Sequence, residues 1–238
     1  MNSFLTNCLT HRHANLVTAL LLCISLMSPI QAAENTPKQS EQQPWQALEN
    51  QHFISLSSQQ QLAFTKENPT LHFYFWPGSA SCYQVELALQ KWQLIHTQIK
   101  VVRVPLIKRP NWRLLAKVYL VAEDLQLADA VLNLLYDSIH QQQMPIESEA
   151  QLTPLLQTMS IDEIDFFARL HSPEINLQLS SLETNHKTLP LTGVPSFIIN
   201  GQWQTDASLA STPATLLKVI DHLFSQSTTV TEAVTDKL

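Results

Sequence analysis

The sequence predicts an α/β fold in which a small sheet is interrupted by an all-helical insertion. Three observations lead there. The run 71–76 holds hardly a polar residue and ends at Pro77-Gly78, as a strand buried on both faces does. From Asn111 the apolar period becomes helical and stays so for about eighty residues. After Pro190 the β signals return, with Asn200-Gly201 as a preferred two-residue hairpin turn. The 238-residue chain holds only three glycines, Gly78, Gly193 and Gly201, and all fall at these junctions. Glycine serves backbone that needs positive φ or close approach, so the special backbone gathers in two loops.

Residues 1–33 read as an export signal. Arg12, between His11 and His13, precedes an apolar run at 16–27, and Ala32 and Ala33 offer a small-residue cleavage site. The run is shorter than the ~20 residues of a membrane span. Cys23 raises the alternative of a lipid anchor, but Leu22 stands where a small residue is expected. An uncleaved anchor is the other alternative. Residues 34–45 are rich in Gln, Glu, Lys and Pro and are expected to form a mobile tail. The first part of the fold, 46–108, starts with a short strand at 53–56 and the buried strand at 71–76. A helix follows over 82–94, with Val85, Leu87, Leu89, Trp92 and Leu94 apolar, and then a β-branched strand at 99–104. Strand, helix, strand implies a right-handed parallel crossover.

The insertion is expected over 109–188. Helices fall near 112–122 and 127–142, and Pro145 breaks the chain. Ser148 with Gln151 makes a capping box, and Ser160 with Glu163 repeats it before a helix at 164–170. Ser172-Pro173 pairs an N-cap with proline at the first helical position and opens a helix to about Lys187. The Leu, Ala and Tyr stripes of this block are core. In the closing part, 189–225, a strand at 196–199 turns through Asn200-Gly201 into a partner that starts at Gln202-Trp203-Gln204. Thr212-Pro213 then caps a last helix carrying Leu216, Leu217, Ile220 and Leu223. Residues 226–238 are Thr-rich and expected to fray.

Charge and cysteine content exclude several functions. Of 14 Lys and Arg only Arg12 leaves with the signal, so 13 basic residues face 20 acidic ones, net −7. That balance provides no basic face for nucleic acid. Cys8 and Cys23 also leave with the signal, and Cys82 becomes the single cysteine of the exported chain. The exported compartment permits disulfides, yet this chain cannot form one within itself. A lone thiol there pairs with another molecule, reacts, or lies inert in the core. His52, His72, His96, His140, His171, His186 and His222 are dispersed at no metal-ligand spacing, so neither metal nor cofactor is expected. His72, beside the aromatic strand, is the one histidine to watch. A nucleophile elbow needs Gly two residues after Ser, whereas Gly78 precedes Ser79 and Ser81 follows Ala80. Hydrolase chemistry is disfavoured.

Two separated motifs carry a family resemblance. The first is the aromatic strand leading to Cys82-Tyr83-Gln84-Val85-Glu86; the second is Gly193-Val194-Pro195, an apolar strand and Asn200-Gly201. In this order the chain, from about residue 45 to 225, resembles the DsbA-type periplasmic thiol:disulfide oxidoreductases, a thioredoxin-like fold with an inserted helical subdomain. The resemblance implies a cis Val194-Pro195 bond lying against the active-site turn. It also puts Ser79-Ala80-Ser81-Cys82 on the family's Cys-x-x-Cys, with Ser79 where the nucleophilic sulfur belongs. Thiol–disulfide exchange proceeds through a mixed disulfide on that first sulfur, so a hydroxyl ends the cycle. The family's buried acidic residue on the strand aligns with Phe73, a second departure from the redox machinery.

What the resemblance then implies is a surface for extended polypeptide. Val194 presents its backbone to a chain that adds like a strand, and Trp76, Pro77 and Tyr83 are expected as apolar walls. The expected protein is a periplasmic, redox-deficient, polypeptide-binding or chaperone-like module with no stable membrane association once the signal is removed. The alternative is an oxidoreductase with residual or monothiol exchange through Cys82. An N-terminal dimerisation domain of the isomerase kind is not expected, because about a dozen polar residues lie between the signal and Trp45.

Overall fold

In the computed structural model, which describes residues 45–61, 63–64 and 69–235, the apolar run becomes a central strand. The expected signal and most of the expected N-terminal tail lie outside the described residues. Strand β1, Ile54–Ser55, is followed by the short helix α1, Ser58–Gln61. Strand β2, Thr70–Phe75, leads through a short turn into helix α2, Ala80–Gln93, and strand β3, Lys100–Pro105. Strands β4, Ser196–Ile199, and β5, Trp203–Asp206, close the sheet in the order β1-β5-β4-β2-β3. β2 pairs parallel with β3, as a strand–helix–strand unit requires, and antiparallel with β4, placing Phe73 opposite Phe197.

Strand side chains alternate between faces, so β2 supplies two cores at once. Leu71, Phe73 and Phe75 are fully buried in a cluster with Leu89, Trp92, Val219, Ile220 and Leu223 from α2 and the last helix. Phe73 stacks on Phe197 with ring centres 4.8 Å apart. Tyr74 turns to the other face and joins Leu56, Leu106, Leu191 and Ile198. Complete burial of each such apolar side chain contributes about 1.5–3 kcal/mol, which is why this run is a strand and not a loop.

The block between β3 and β4 contains no strand. A 3₁₀ turn, Pro110–Trp112, leads into α3, Arg113–Asp124; then come α4, Ala128–Tyr136, and a π-helical turn, Asp137–Gln141. Helices α5, Glu149–Thr158, α6, Glu163–Leu170, and α7, Pro173–His186, complete it. Val121, Leu152, Phe166, Leu170 and Leu179 form a core separate from those on the sheet. The Ser148/Gln151 capping box is formed, and Ser172 caps α7 ahead of Pro173. One cap differs from the sequence reading. Asp162, not Ser160, caps α6, accepting from the Asp165 N–H; Ser160 instead takes a left-handed turn at φ 54°.

After β4, Asn200 (φ 50°) and Gly201 (φ 64°) both adopt positive φ, as the hairpin turn demands. A short helix α8, Ala207–Ala210, that the sequence did not signal is capped by Asp206. The last helix, α9, Pro213–Thr235, continues well past residue 225, where fraying was expected.

Candidate functional site

The turn after β2 is shaped by two close approaches. Gly78 lies beneath the Trp76 ring, where a Cβ would come within 2.4 Å, so a larger residue there would have to displace the ring. Trp76 stacks face to face on Trp112, with centres 4.5 Å apart and planes within 6°. The chain then enters α2 with Ser79 as N-cap, its Oγ accepting from the Cys82 N–H at 3.3 Å. Ser79 and Ser81 share a hydroxyl hydrogen bond of 2.9 Å.

Cys82 is wholly buried beneath this first turn. Burial pushes its thiol up to about 11, and hydrogen bonding to Ser79 and the Trp76 backbone reverses only part of that; Glu86 adds to the rise. The thiol is therefore protonated at neutral pH. A thiolate nucleophile needs the opposite environment.

The second segment is Leu191–Pro195, and the Val194-Pro195 peptide is cis. Its flanks are tied down: Lys108 Nζ donates to the Leu191 carbonyl, and Thr192 Oγ1 lies 3.4 Å from Asp206 Oδ2. Ser196 Oγ donates to the Gly193 carbonyl at 2.7 Å, and the Ala207 N–H donates to the Pro195 carbonyl at 3.3 Å. Among the described residues, the N–H and C=O of Val194 have no partner, nor do those of Thr192, and the Val194 side chain is half-buried. Thr192 is exposed, and a Cβ on Gly193 would meet nothing within 4 Å.

The expected walls are placed differently. Tyr83 is buried, its ring stacked on His140 at 5.3 Å and its hydroxyl accepting from Gln141 Nε2 at 2.9 Å. Pro77 is buried too, with its carbonyl 2.8 Å from His140 Nε2. Trp76 remains half-buried, packed on the helical block. So Pro77 and Tyr83 are inner supports of the turn, not walls of an open surface, because the insertion folds over them. His72, half-buried against Phe64, has its pKa lowered to about 4 by burial and by Lys100 and takes no part here.

Sequence reasoning missed the residues that lock this turn. His140 and Gln141 reach it from the π-helical turn, a local geometry that no hydrophobic period announces. Glu86, one turn after Cys82, is 1% exposed and holds Arg103 in a two-pronged ion pair, with contacts of 2.7 and 3.0 Å. Its signal was visible: an acidic residue on the buried side of α2 needs a buried cation. Among the described residues, no group of three or more His, Cys, Asp or Glu is arranged to hold a metal ion. Nor is any helix among them long and apolar enough to cross a membrane.

A family model for the DsbA-like thioredoxin domain matches residues 71–220, more than half of the chain. The chain belongs to this family. The thiol:disulfide interchange protein DsbA of Pseudomonas aeruginosa is 24% identical over 153 residues, covering 64% of this chain and 72% of that protein. The Azotobacter vinelandii DsbA matches at the same identity and coverage. The crystal structure of P. aeruginosa DsbA superimposes with a TM-score of 0.68 at 21% identity, covering 76% of this chain and 95% of that one. The DsbA-like fold thus accounts for both halves of the sheet and for the helical block between them.

Proposed function

We propose that this DsbA-like chain is a redox-deficient, exported module that holds extended polypeptide at the Val194-Pro195 loop. The observation that carries the reading is the free Val194 backbone. An N–H and a C=O without protein partners, on a loop fastened at both ends, offer an incoming chain the two bonds of strand addition. The thiol side of the family chemistry is what the site lacks. Ser79 occupies the helix N-cap, where a sulfur would be held as thiolate by the backbone N–H groups and the helix dipole. A serine there forms no mixed disulfide. Cys82, buried and protonated, is poorly suited to residual exchange of its own. The apolar run at 16–27 and the small residues at 32 and 33 support export to the periplasm, where unfolded exported polypeptide is the partner this reading assigns.

Reduction of insulin by dithiothreitol, followed by turbidity, tests both halves of this reading. An oxidoreductase hastens B-chain aggregation, whereas a polypeptide-binding module delays it. The natural chain is expected to delay it, Val194→Asp to lose the delay, and Ser79→Cys to turn delay into acceleration. Acceleration by the natural chain that disappears in Cys82→Ala would identify an enzyme instead, and no effect on turbidity would remove the binding role.

A further inference from the structure

A second feature lies where the helical insertion leaves and rejoins the sheet. A cavity of about 400 Å³ is bounded by Ile107 to Pro110 and Arg113 on one side and by Glu183, His186 and Lys187 at the end of α7 on the other. Four of its eight lining residues are cationic, in a chain whose formal net charge is −6. Glu183 is matched by Arg113, its ion-pair partner. Lys108, Arg109 and Lys187 are left as surplus positive charge. Lys108 spends one N–H on the neutral Leu191 carbonyl, and the side chains of Arg109 and Lys187 contact no described residue through a hydrogen bond or ion pair.

Basic residues at a rim are ordinarily a solvated face, so the wall behind them decides the matter. His186 is 5% exposed, and neither ring nitrogen has a partner among the described residues. Its ring meets the edge of Tyr74, at 5.6 Å. A buried polar group without partners is costly, because nothing replaces its lost hydrogen bonds to water. Burial and Lys108 lower its pKa to about 4, so the ring is neutral at physiological pH and presents one donor and one acceptor.

We propose that this cavity binds a small organic phosphate, with its oxyanion between Lys108, Arg109 and Lys187 and its body against Ile107 and Pro110. The charge surplus suits a dianion, and the guanidinium fork and ammonium groups are the donors that oxyanions take. His186 adds a ring N–H to a phosphate oxygen. The volume exceeds that of an inorganic ion and falls within the ~300–1,000 Å³ of small-molecule sites. This site includes neither Val194 nor the Ser79–Cys82 turn and meets the polypeptide-binding loop only through Lys108, which also holds the Leu191 carbonyl.

Titration calorimetry of the full chain with phenyl phosphate, inorganic phosphate and phenol tests the assignment. Phenyl phosphate is expected to bind saturably at one site, inorganic phosphate more weakly, and phenol not at all. Arg109→Gln combined with Lys187→Gln, both at exposed positions, should weaken phenyl phosphate about tenfold, while Lys218→Gln on α9 leaves it unchanged. The His186 ring ¹⁵N resonances should shift with the same midpoint. Absence of saturable binding, insensitivity to the double substitution, equal binding of phenol, or unmoved His186 resonances would each overturn the proposal.

Discussion

Ser79 Oγ caps the Cys82 N–H at 3.3 Å, and that contact sets two expectations at the scale of single residues. Removing the cap in Ser79→Ala leaves a helix-terminal N–H unmet and should lower stability by about 1 kcal/mol, read as a lower urea midpoint at unchanged slope. Cys82 lies one turn inward, with its thiol raised to about 11. At pH 7 only about one thiol in ten thousand is then ionised, and burial excludes the reagent as well. Maleimide labelling of the native chain should therefore be at least about a hundredfold slower than that of the chain in denaturant. Prompt native labelling would show a thiol that is open and activated, contrary to its surroundings here. The raised value also has a sign in stability: the unfolded thiol ionises near 9, so the contribution of Cys82 is complete below pH 9 and lost as pH rises through about 11.

Among the elements, the pairing of α2 with β3 through Glu86 and Arg103 is the contact most exposed to disruption. Glu86→Ala strands a guanidinium of which 10% is exposed, leaving only Asp129 at 3.5 Å as a partner. Loss of one member of a buried pair costs about 3–5 kcal/mol, so this variant should unfold at far lower urea than Ser79→Ala. Replacing both residues with apolar ones should recover much of that loss, which separates pairing from packing. Most elements were legible in the sequence because their signals are local. The apolar run of β2, the Ser148/Gln151 box, Ser172-Pro173 and Asn200-Gly201 each encode their own geometry in adjacent residues. The site was less legible. Burial of Pro77 and Tyr83 depends on His140 and Gln141, more than fifty residues away, and on the π-helical turn that follows α4 and carries both. The cap at Asp162 was misplaced for a different reason, since Ser160 and Asp162 both offer a capping oxygen and only the backbone turn at Ser160 decides between them.

For the molecule as a whole, two histidines held neutral on the same face of the sheet tie stability to pH. His72 extends from β2, and His186, at the end of α7, packs its ring against Tyr74 of the same strand. Burial lowers both to about 4, aided by Lys100 beside the first and Lys108 beside the second. In the unfolded chain each takes up a proton near 6.5, so on acidification the unfolded state binds protons before the folded one. The contribution of each is then fully present above pH 6.5 and lost as pH falls through the window to about 4, on the order of 3 kcal/mol apiece. Unfolding free energy measured by urea titration should therefore fall steeply across that window, with a slope approaching two protons. His72→Phe, which keeps the ring against Phe64 and removes the titrating group, should reduce the slope to about one proton. A profile that is flat from pH 6.5 to 4 in the natural chain, or unchanged by His72→Phe, would mean that these imidazoles are hydrated and charged in the folded protein.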